Sequence, residues 1–254
     1  MILGILQARV SSTRLPSKVM RLILNKPMLA HQIDRIKQSK LIDQLIVATS
    51  LSEEDNAIAE LCLQAGIACF RGSLDDVLDR LYKAAKPYHP SHVVRMTGDC
   101  PLIDFGIIDQ VINNHLQNHF DYTSNSNPPT FPDGLDVEII TFKALEKIWQ
   151  MAKLPSEREH VTLFIRNHPE IFKIGNLVNQ QDLSHLRWTV DEAEDFILIQ
   201  KIYEYLFPEN QKFNMNDILF LFKKYPELKI INKQYKRNEG MKKSLLADQE
   251  FHHV

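Results

Sequence analysis

Residues 4–18 read GILQARVSSTRLPSK, an apolar segment that runs directly into a loop of cations and hydroxyls. The aliphatic residues 2–6 are typical of a short strand buried in a parallel sheet. Residues 8–18 then contain Arg9, Arg14, Lys18 and four hydroxyl side chains, but no acid. Open α/β sheets bind ligands where loops leave the carboxyl ends of strands, and cations with free backbone amides suit a polyphosphate. The stretch therefore predicts an anion-binding loop in an α/β fold. From the residues alone, a solvated loop that happens to be basic is the alternative.

Length and composition limit what the chain can be. At 254 residues and 44% apolar, it is sized for one large α/β domain, or one domain with an appendage. A formal net charge of -2 argues against a dedicated nucleic-acid binder. The three cysteines show no CxxC spacing, which favours a reducing cytoplasm over a disulfide framework or a zinc site. No apolar run approaches the ~20 residues of a membrane span, and the first residues do not resemble a signal peptide. We therefore expect a soluble cytoplasmic protein with no membrane partner.

Strand-like and helix-like segments alternate along the first hundred residues. Strands are predicted at 2–6, 45–49, 68–70 and 92–96, and amphipathic helices at 27–38, 52–65 and 75–86. This alternation predicts a mostly parallel sheet covered by helices on both faces. Further along, we expect helices at 107–116, from about 192 to 206 and at 215–222, and short strands at 121–123, 135–139 and 186–190.

Two aspartates are predicted to follow strands at the edge that carries the basic loop. Asp99 comes directly after the fourth strand, and Gly98 before it allows close backbone approach. Asp191 leaves the strand predicted at 186–190 in the same way. Mg²⁺ is typically held by one or two carboxylates plus substrate phosphates, so this pair is coherent beside a triphosphate. A turn or a helix cap is the alternative role for each aspartate.

A second group of candidate residues follows a long loop rich in turn formers, residues 125–134. In the strand predicted at 135–139, alternation places Asp136 and Glu138 on one face, where they either line a site or form a solvated acidic face.

Residues 154–162, LPSEREHVT, are predicted to open a helix with Ser156 as N-cap and Glu159 as its capping-box partner. Glu157, Arg158 and His160 then cluster near the helix start. Helix stabilisation by the glutamates and a structural histidine are the alternatives to substrate binding.

We expect residues 208–254 to form a separate small unit, with one helix and a basic tail, beside a main domain of residues 1–207. Residues 223–243 contain eight Lys or Arg against two Glu. These cations either add to an anion site or form a solvated arm, and we favour the solvated arm for most of them.

Seven blocks together resemble a known family. The blocks are LQARVSSTRLPSK at 6–18, FRGSLDDVLDR at 70–80, VRMTGDCPLID at 94–104, FPDGLDVE at 131–138, LPSEREHVT at 154–162, LRWTVDEAED at 186–195 and KRNEG at 236–240. In this order they resemble the cytidylyltransferase family that includes the spore-coat polysaccharide biosynthesis protein F group, and more distantly the CMP-sugar synthetases for KDO and acylneuraminate. The resemblance covers essentially the whole chain.

The resemblance implies a nucleotide-diphospho-sugar transferase fold of the GT-A-like type, with a mixed, mostly parallel sheet flanked by helices and a small C-terminal helical extension. It implies that CTP is bound by Gln7, Ala8, Arg9, Ser11, Ser12, Thr13, Arg14, Lys18, Arg80 and Gly98. Asp99 and Asp191 match the acids that family members use for Mg²⁺, and Lys18, Arg14 and Asp99 are the expected catalytic residues. The acceptor side is expected to contain Asp136, Glu138, Glu157, Arg158 and His160. Ser17 departs from the family, which usually has glycine there. If that position needed a positive φ, serine would strain it by ~1 kcal/mol.

The reaction we expect is transfer of CMP from CTP to a hydroxyl of a sugar or sugar acid, with release of pyrophosphate, in surface polysaccharide biosynthesis. A homodimer is also expected. Neither GxGxxG nor GxxxxGK occurs, which disfavours dehydrogenases and P-loop enzymes. The alternatives are another nucleotide-sugar enzyme of the same fold, either a sugar-phosphate pyrophosphorylase or a glycosyltransferase, and a non-catalytic regulator that binds nucleotide.

Overall fold

The computed structural model of the protein describes residues 1–237. The last part of the predicted basic tail and the end of the KRNEG block, residues 238–254, lie outside the described residues. Among residues 1–237, no helix combines the length and the apolar character that crossing a bilayer requires.

Residues 1–237 contain nine strands and nine α-helices. The strands are Ile2–Gln7 (β1), Leu22–Ile23 (β2), Lys26–Pro27 (β3), Gln44–Ser50 (β4), Ala68–Gly72 (β5), His92–Thr97 (β6), Tyr122–Ser124 (β7), Glu138–Thr141 (β8) and Ile174–Asn176 (β9). The helices are Met28–Ile36 (α1), Asn56–Gln64 (α2), Val77–Ala85 (α3), Phe105–Asn118 (α4), Phe142–Met151 (α5), Pro155–Glu159 (α6), Leu163–Asn167 (α7), Ala193–Leu206 (α8) and Met215–Lys224 (α9).

Seven of these strands form one sheet, in the order β5-β4-β1-β6-β8-β7-β9. β5, β4, β1 and β6 are parallel, β8 runs antiparallel to β6 and β7, and β9 is parallel to β7. β2 and β3 form a separate small hairpin. The mixed, mostly parallel sheet flanked by helices confirms the predicted fold class.

Each face of the sheet is buried against its own set of helices. Leu6, Val47 and Val94 face the cluster formed with α1, α2, α4, α8 and α9. Leu3 and Ile5 face the cluster formed with α3, α5 and α7. Alternate residues of β1 therefore enter two different cores, which explains why the whole strand is apolar rather than alternating.

Residues 208–237 pack on the same core as the rest of the chain. Ile218, Leu221 and Phe222 of α9 join the cluster that contains Trp188 and the α8 side chains. The buried Arg35 of α1 donates to the Phe213 carbonyl at 2.9 Å. The backbone N–H of Met215 donates to Asp104 Oδ2 at 2.8 Å, while Oδ1 of the same carboxylate caps α4.

Several local predictions are wrong. Residues 186–190 form no regular strand, because within residues 1–237 they pair with other segments only through a bridge between Asp133 and Arg187 and scattered hydrogen bonds. β8 begins at Glu138, so Asp136 precedes the strand instead of lying in it. Ser156 is not the N-cap of α6, since Pro155 is already its first residue.

Candidate active site

The carboxyl ends of β1 and β6 bring the basic loop and Asp99 together. Gln7 is in register with Thr97, and the Gly98 N–H donates to the Gln7 carbonyl at 2.8 Å. A Cβ atom on Gly98 would lie 2.8 Å from the Ala8 Cβ and 3.2 Å from the Gln7 carbonyl oxygen. Only glycine lets the two strand ends approach this closely.

Cations of the basic loop form one cluster with Asp99 and Asp191. Lys18 Nζ lies 2.7 Å from Asp191 Oδ1, 2.7 Å from the Val190 carbonyl oxygen and 3.8 Å from Asp99 Oδ2. Arg14 Nη2 lies 2.9 Å from Asp191 Oδ2. Burial raises the pKa of the Asp191 carboxyl, but the charges of Lys18 and Arg14 outweigh it, so the pKa lies below its ordinary value. Asp191 is therefore ionised at neutral pH.

Hydrogen bonds hold Asp191 at the sheet edge without a regular strand. The backbone N–H of Val190 donates to the Asp99 carbonyl at 2.8 Å. Asp195 Oδ2 accepts from the backbone N–H groups of Asp191 and Glu192, both at 3.0 Å, at the start of α8. Arg187 in turn pairs with Asp195 at 2.8 Å. Asp195 thus fixes the turn, while Asp191 faces the cations, and Glu192 Oε1 lies 3.4 Å from Arg14 Nε.

The rest of the basic loop is anchored by Asp55. The Val10 N–H donates to Asp55 Oδ1 at 2.6 Å, and the Ser50 N–H donates to Oδ2 at 3.0 Å. Asp55 was not among the candidate residues drawn from the sequence, so its contact with Val10 was missed. Ser17 has a φ of 54°, so this position does need the left-handed conformation that glycine adopts most easily.

The remaining nucleotide-binding candidates lie around this cluster. Arg9 and Thr13 are exposed, Ser11 and Ser12 are half-buried, and Gln7 Oε1 accepts from Arg95 Nε at 2.7 Å. Arg80 of α3 is buried, and its guanidinium donates to the carbonyls of Ser73 and Leu74. Burial lowers the pKa of Arg80, and the nearby positive charge of Arg9 lowers it further. The hydrogen bonds of Arg80 are thus made within the segment that leads into α3.

An open cleft adjoins the cluster on the β8 side. It is lined by Arg95, Met96, Thr97, Ser126, Asp136, Glu138, His160, Thr162 and Arg166. Glu138 accepts hydrogen bonds from Tyr122 and Thr162 and pairs with Arg95. Burial raises the pKa of Glu138, but the charges of Arg95 and Arg166 and these hydrogen bonds bring it below its ordinary value. The cleft therefore presents an ionised carboxylate together with two guanidinium groups.

Arg237, near the end of the described residues, reaches the same region. Its guanidinium pairs with Asp136, lies 3.7 Å from Asp133 Oδ1, and donates to the Phe131 carbonyl at 3.3 Å. Burial and the negative charge of Asp136 raise the pKa of Asp133 to about 7, although Arg237 opposes them. Arg237 belongs to the KRNEG block, but sequence reasoning gave it no role and favoured a solvated arm for most of the tail.

Two of the acceptor-side candidates lie outside the cleft. Arg158 donates to Asp76 Oδ2 with Nε at 3.0 Å and Nη2 at 2.6 Å, and so ties α6 to the start of α3. Glu157 accepts from the backbone N–H groups of Lys153 and Leu154 at 3.0 and 3.1 Å, and caps its own helix. His160, in contrast, lines the cleft with Asp136 and Glu138.

The sequence contained a signal for some of the residues that were missed. Arg95 interrupts an otherwise apolar strand, and a cation inside a buried strand usually has a specific partner. Arg187 is a second cation next to a core residue, because it directly precedes the buried Trp188. Arg166 and Arg237 offered no comparable pattern, because each lies in a short segment whose position depends on tertiary contacts.

A divalent cation fits the chemistry of the Asp99 and Asp191 pair. Both carboxylates contact the same lysine nitrogen, so their oxygens converge on one point, and such hard oxygen donors suit Mg²⁺. Within the described part of the chain, no three His, Cys, Asp or Glu side chains form a metal-binding group. The backbone carbonyl of Val190, substrate phosphates and water are the oxygen donors that could complete the coordination of an ion at this point.

Comparison with known proteins gives the class to which this site belongs. The profile of the family described as cytidylyltransferase matches residues 3–245. The spore coat polysaccharide biosynthesis protein SpsF of Bacillus subtilis strain 168 is 36% identical over 210 residues, which are 80% of this chain and 86% of that protein.

Two solved structures share the fold. A cytidylyltransferase from Leptospira borgpetersenii serovar Hardjo-bovis superposes with a TM-score of 0.86 at 32% identity, covering 92% of this chain and 98% of the other. CMP:2-keto-3-deoxy-manno-octonic acid synthetase in complex with CTP superposes with a TM-score of 0.60 at 14% identity, covering 80% and 98%.

The chain therefore belongs to the cytidylyltransferase family. The resemblance drawn from the seven sequence blocks is confirmed, and the protein is an enzyme of the cytidylyltransferase type.

Proposed function

We propose that the enzyme transfers CMP from CTP to a hydroxyl group of a sugar or sugar acid and releases pyrophosphate. The observation that carries the proposal is the convergence of Lys18, Arg14, Asp99 and Asp191 at the carboxyl edge of the sheet. The relationship to the Bacillus protein supports a role in surface polysaccharide biosynthesis, and the neighbouring fold in complex with CTP supports the nucleotide. A homodimer and a cytoplasmic location are part of the proposal.

In this reaction an acceptor hydroxyl oxygen bonds to the α-phosphorus, and the bond from that phosphorus to the bridging oxygen of pyrophosphate breaks. No covalent nucleophile is required of the protein, so its work is positioning and charge neutralisation. We assign the triphosphate to the basic loop, where Arg9 is exposed and Arg14 and Lys18 are directed to the sheet edge. Pyrophosphate leaves more readily when cations neutralise its developing charge.

Asp99 and Asp191 would hold the divalent cation, which we propose to be Mg²⁺. When bound, such an ion shields phosphate charge and fixes the relative orientation of the phosphates. We assign the acceptor to the cleft beside β8, where Asp136 and Glu138 provide hydrogen-bond acceptors for hydroxyl groups and His160 is close by. The capping role of Glu157 and the pairing of Arg158 with Asp76 support a structural function for those two residues.

The first test is turnover with CTP. Pyrophosphate release is measured with CTP, ATP and GTP against sugars and sugar acids, each with and without a phosphate group. CTP-dependent release with an unphosphorylated acceptor supports CMP transfer. Release only with a sugar phosphate would indicate a pyrophosphorylase, and the absence of any turnover would favour a nucleotide-binding regulator.

Replacement of Asp99 or Asp191 gives the sharper test. Asp99→Asn and Asp191→Asn keep the side-chain shape but remove a charge from the cation site, so turnover should fall ~100-fold or more while the fold survives. The two losses should be non-additive, because the second ligand has little left to hold once the ion is misplaced. Pyrophosphate release is followed against Mg²⁺ concentration for both single variants and the double.

Asp34→Asn is the matched control, because Asp34 pairs with Lys26 on the surface, away from the sheet edge. It should leave turnover unchanged. A near-normal rate with unchanged Mg²⁺ dependence in Asp99→Asn or Asp191→Asn would reduce that aspartate to a turn residue and remove the proposed metal site.

A further inference from the structure

The surroundings of Lys18 resemble the coordination shell of a hard cation. Its ammonium nitrogen is 2.7 Å from Asp191 Oδ1, 2.7 Å from the Val190 carbonyl oxygen and 3.8 Å from Asp99 Oδ2. Two carboxylates and a backbone carbonyl are the oxygen donors that divalent ions take from proteins. The Lys18 side chain is only 12% exposed, so water competes weakly for these oxygens.

The two aspartates depend on Lys18 to different degrees. Asp191 has additional cations on Oδ2, with Arg14 at 2.9 Å and Arg187 at 3.4 Å. For Asp99, Lys18 is the only cation within ion-pair distance among residues 1–237. The point on which both carboxylates converge is thus filled by one ammonium group, which carries half the charge of a divalent ion.

We propose that Lys18 is an internal counter-ion that competes with the divalent metal ion for Asp99 and Asp191, and that the nucleotide triphosphate removes this competition by drawing the ammonium group away. Metal ion and nucleotide would then bind cooperatively. The inference rests on the function proposed above and concerns the order in which the same site is filled.

Geometry and charge explain why Lys18 and the metal ion would compete and why the nucleotide would relieve the competition. An ion held by both carboxylates would have to lie close to the ammonium group, which pairs with the same two carboxylates, and two cations so close repel each other. Lysine is a compact charge on a flexible four-carbon stem, so its nitrogen can move without a backbone rearrangement. A triphosphate offers it strong charge-assisted hydrogen bonds in exchange for those it leaves. Because coupling between ligands is reciprocal, each ligand then raises the affinity for the other.

Binding of Mn²⁺ alone, measured by electron paramagnetic resonance without nucleotide, tests the proposal directly. Lys18→Met removes the ammonium group while keeping an apolar stem of similar length. We expect it to bind Mn²⁺ at least ~10-fold more tightly than the wild-type protein, within the usual range of coupling between two ligands. The gain should disappear in Lys18→Met/Asp99→Asn and in Lys18→Met/Asp191→Asn. Lys18→Met should also bind CTP more weakly than wild type when EDTA is present.

Two further variants separate charge from packing. Lys18→Arg retains a cation and should show no gain in Mn²⁺ affinity, while Lys18→Gln removes the charge but keeps a hydrogen-bond donor and should show the gain. Lys26→Met, which removes another aspartate-paired lysine, in an exposed pair that includes neither Asp99 nor Asp191, should leave Mn²⁺ affinity unchanged. Circular dichroism checks that each variant is folded.

Mn²⁺ affinity in folded Lys18→Met and Lys18→Gln that equals or falls below the wild-type value would overturn the proposal and make Lys18 a permanent tether of Asp191. In that case the proposed function still stands if Asp99→Asn and Asp191→Asn lose turnover. Normal turnover of those two variants would instead contradict the metal site itself.

Discussion

Gly98 decides how closely the two functional strand ends approach each other. An alanine Cβ there would lie 2.8 Å from the Ala8 Cβ, well inside van der Waals contact. We expect Gly98→Ala to cost ~1–3 kcal/mol of stability, as overpacking usually does, and to reduce turnover because Asp99 moves away from Lys18. Chemical denaturation and pyrophosphate release measure the two effects.

The double variant Gly98→Ala/Ala8→Gly provides the control, because it removes the other partner of the clash. It should recover a large part of both stability and turnover relative to Gly98→Ala, with Ala8→Gly alone as reference. Equal defects in the single and double variants would show that the clash with Ala8 is not the cause.

Ser17 is a second position where backbone conformation decides the outcome. Its φ of 54° is costly for a residue with a Cβ, by ~1 kcal/mol, and its side chain forms no cap hydrogen bond. Ser17→Gly relieves this strain, but the greater freedom of glycine in the unfolded chain offsets part or all of the gain. We therefore expect the variant to leave stability unchanged or to raise it by up to ~1 kcal/mol.

Ser52→Gly is the matched comparison, since Ser52 has a φ of -59° and also forms no cap hydrogen bond through its side chain. It should lower stability by ~0.5–1 kcal/mol. Urea unfolding of both variants measures the difference, and an equal loss in the two would contradict strain at Ser17.

At the scale of elements, the C-terminal segment 232–237 joins two parts of the site. Asn232 donates to the Arg187 carbonyl at 3.0 Å and to Asp195 Oδ1 at 2.8 Å, beside the turn that carries Asp191. Five residues later, Arg237 pairs with Asp136 of the cleft beside β8. The segment therefore connects the proposed metal side with the proposed acceptor side.

Removal of the Arg237 charge should affect both the proposed metal side and the proposed acceptor side. Arg237→Met removes the cation that pairs with Asp136 and lies near Asp133, so these two carboxylates lose a counter-charge in the region of Asp99. We expect ~1–3 kcal/mol of destabilisation and at least ~10-fold lower kcat/KM. Arg237→Lys should recover only part, because lysine cannot reproduce the separate contacts of a guanidinium. Thermal unfolding and pyrophosphate release are the measurements.

Lys233→Met is the control, because Lys233 is an exposed cation on the same segment. It should change neither quantity. Full turnover in folded Arg237→Met would show that the segment only packs beside the site.

Whether the sequence predicted a single element correctly depends on what stabilises that element. β1, β4 and β6 were located to within one or two residues, because strands buried on both faces are continuous apolar runs. The strand predicted at 186–190 is wrong, since Trp188 and Val190 are buried in the core that contains α8 and α9 and do not extend a regular sheet. The capping box at Ser156 is wrong because Pro155, whose fixed φ suits a first helical position, starts the helix earlier.

The candidate site was predictable where its residues follow strands of the sheet. Asp99 and the basic loop meet because parallel strands end at one edge, which the alternation of strands and helices already implied. Arg237 and Arg166 could not be placed, because tertiary packing with no local sequence pattern decides their positions. Arg237 pairs with Asp136, 101 residues earlier in the chain, and Arg166 acts on Glu138 from a different segment.

At the scale of the whole molecule, His115 links stability to pH. It is fully buried on α4, with Nδ1 3.0 Å from Thr123 Oγ1 and its ring 5.1 Å from that of His92. Burial, together with His92, lowers the pKa of His115 to about 4, with Asp121 acting weakly in the opposite direction. The folded state therefore holds this imidazole neutral at pH values where the unfolded chain protonates it.

The sign of the effect follows from proton binding. Between the unfolded pKa of 6.5 and the folded pKa of about 4, the unfolded chain binds more protons, so stability falls as the pH decreases through this window. The loss from His115 should reach at most ~3 kcal/mol at the acid end, given ~1.4 kcal/mol for each pKa unit.

Urea unfolding of His115→Asn should show a flatter pH dependence between 6.5 and 4 than the wild-type protein. His185→Asn, at an exposed histidine, should keep the wild-type slope. An unchanged slope in His115→Asn would assign the acid sensitivity to other groups, with the carboxylates of the active-site cluster as the next to replace.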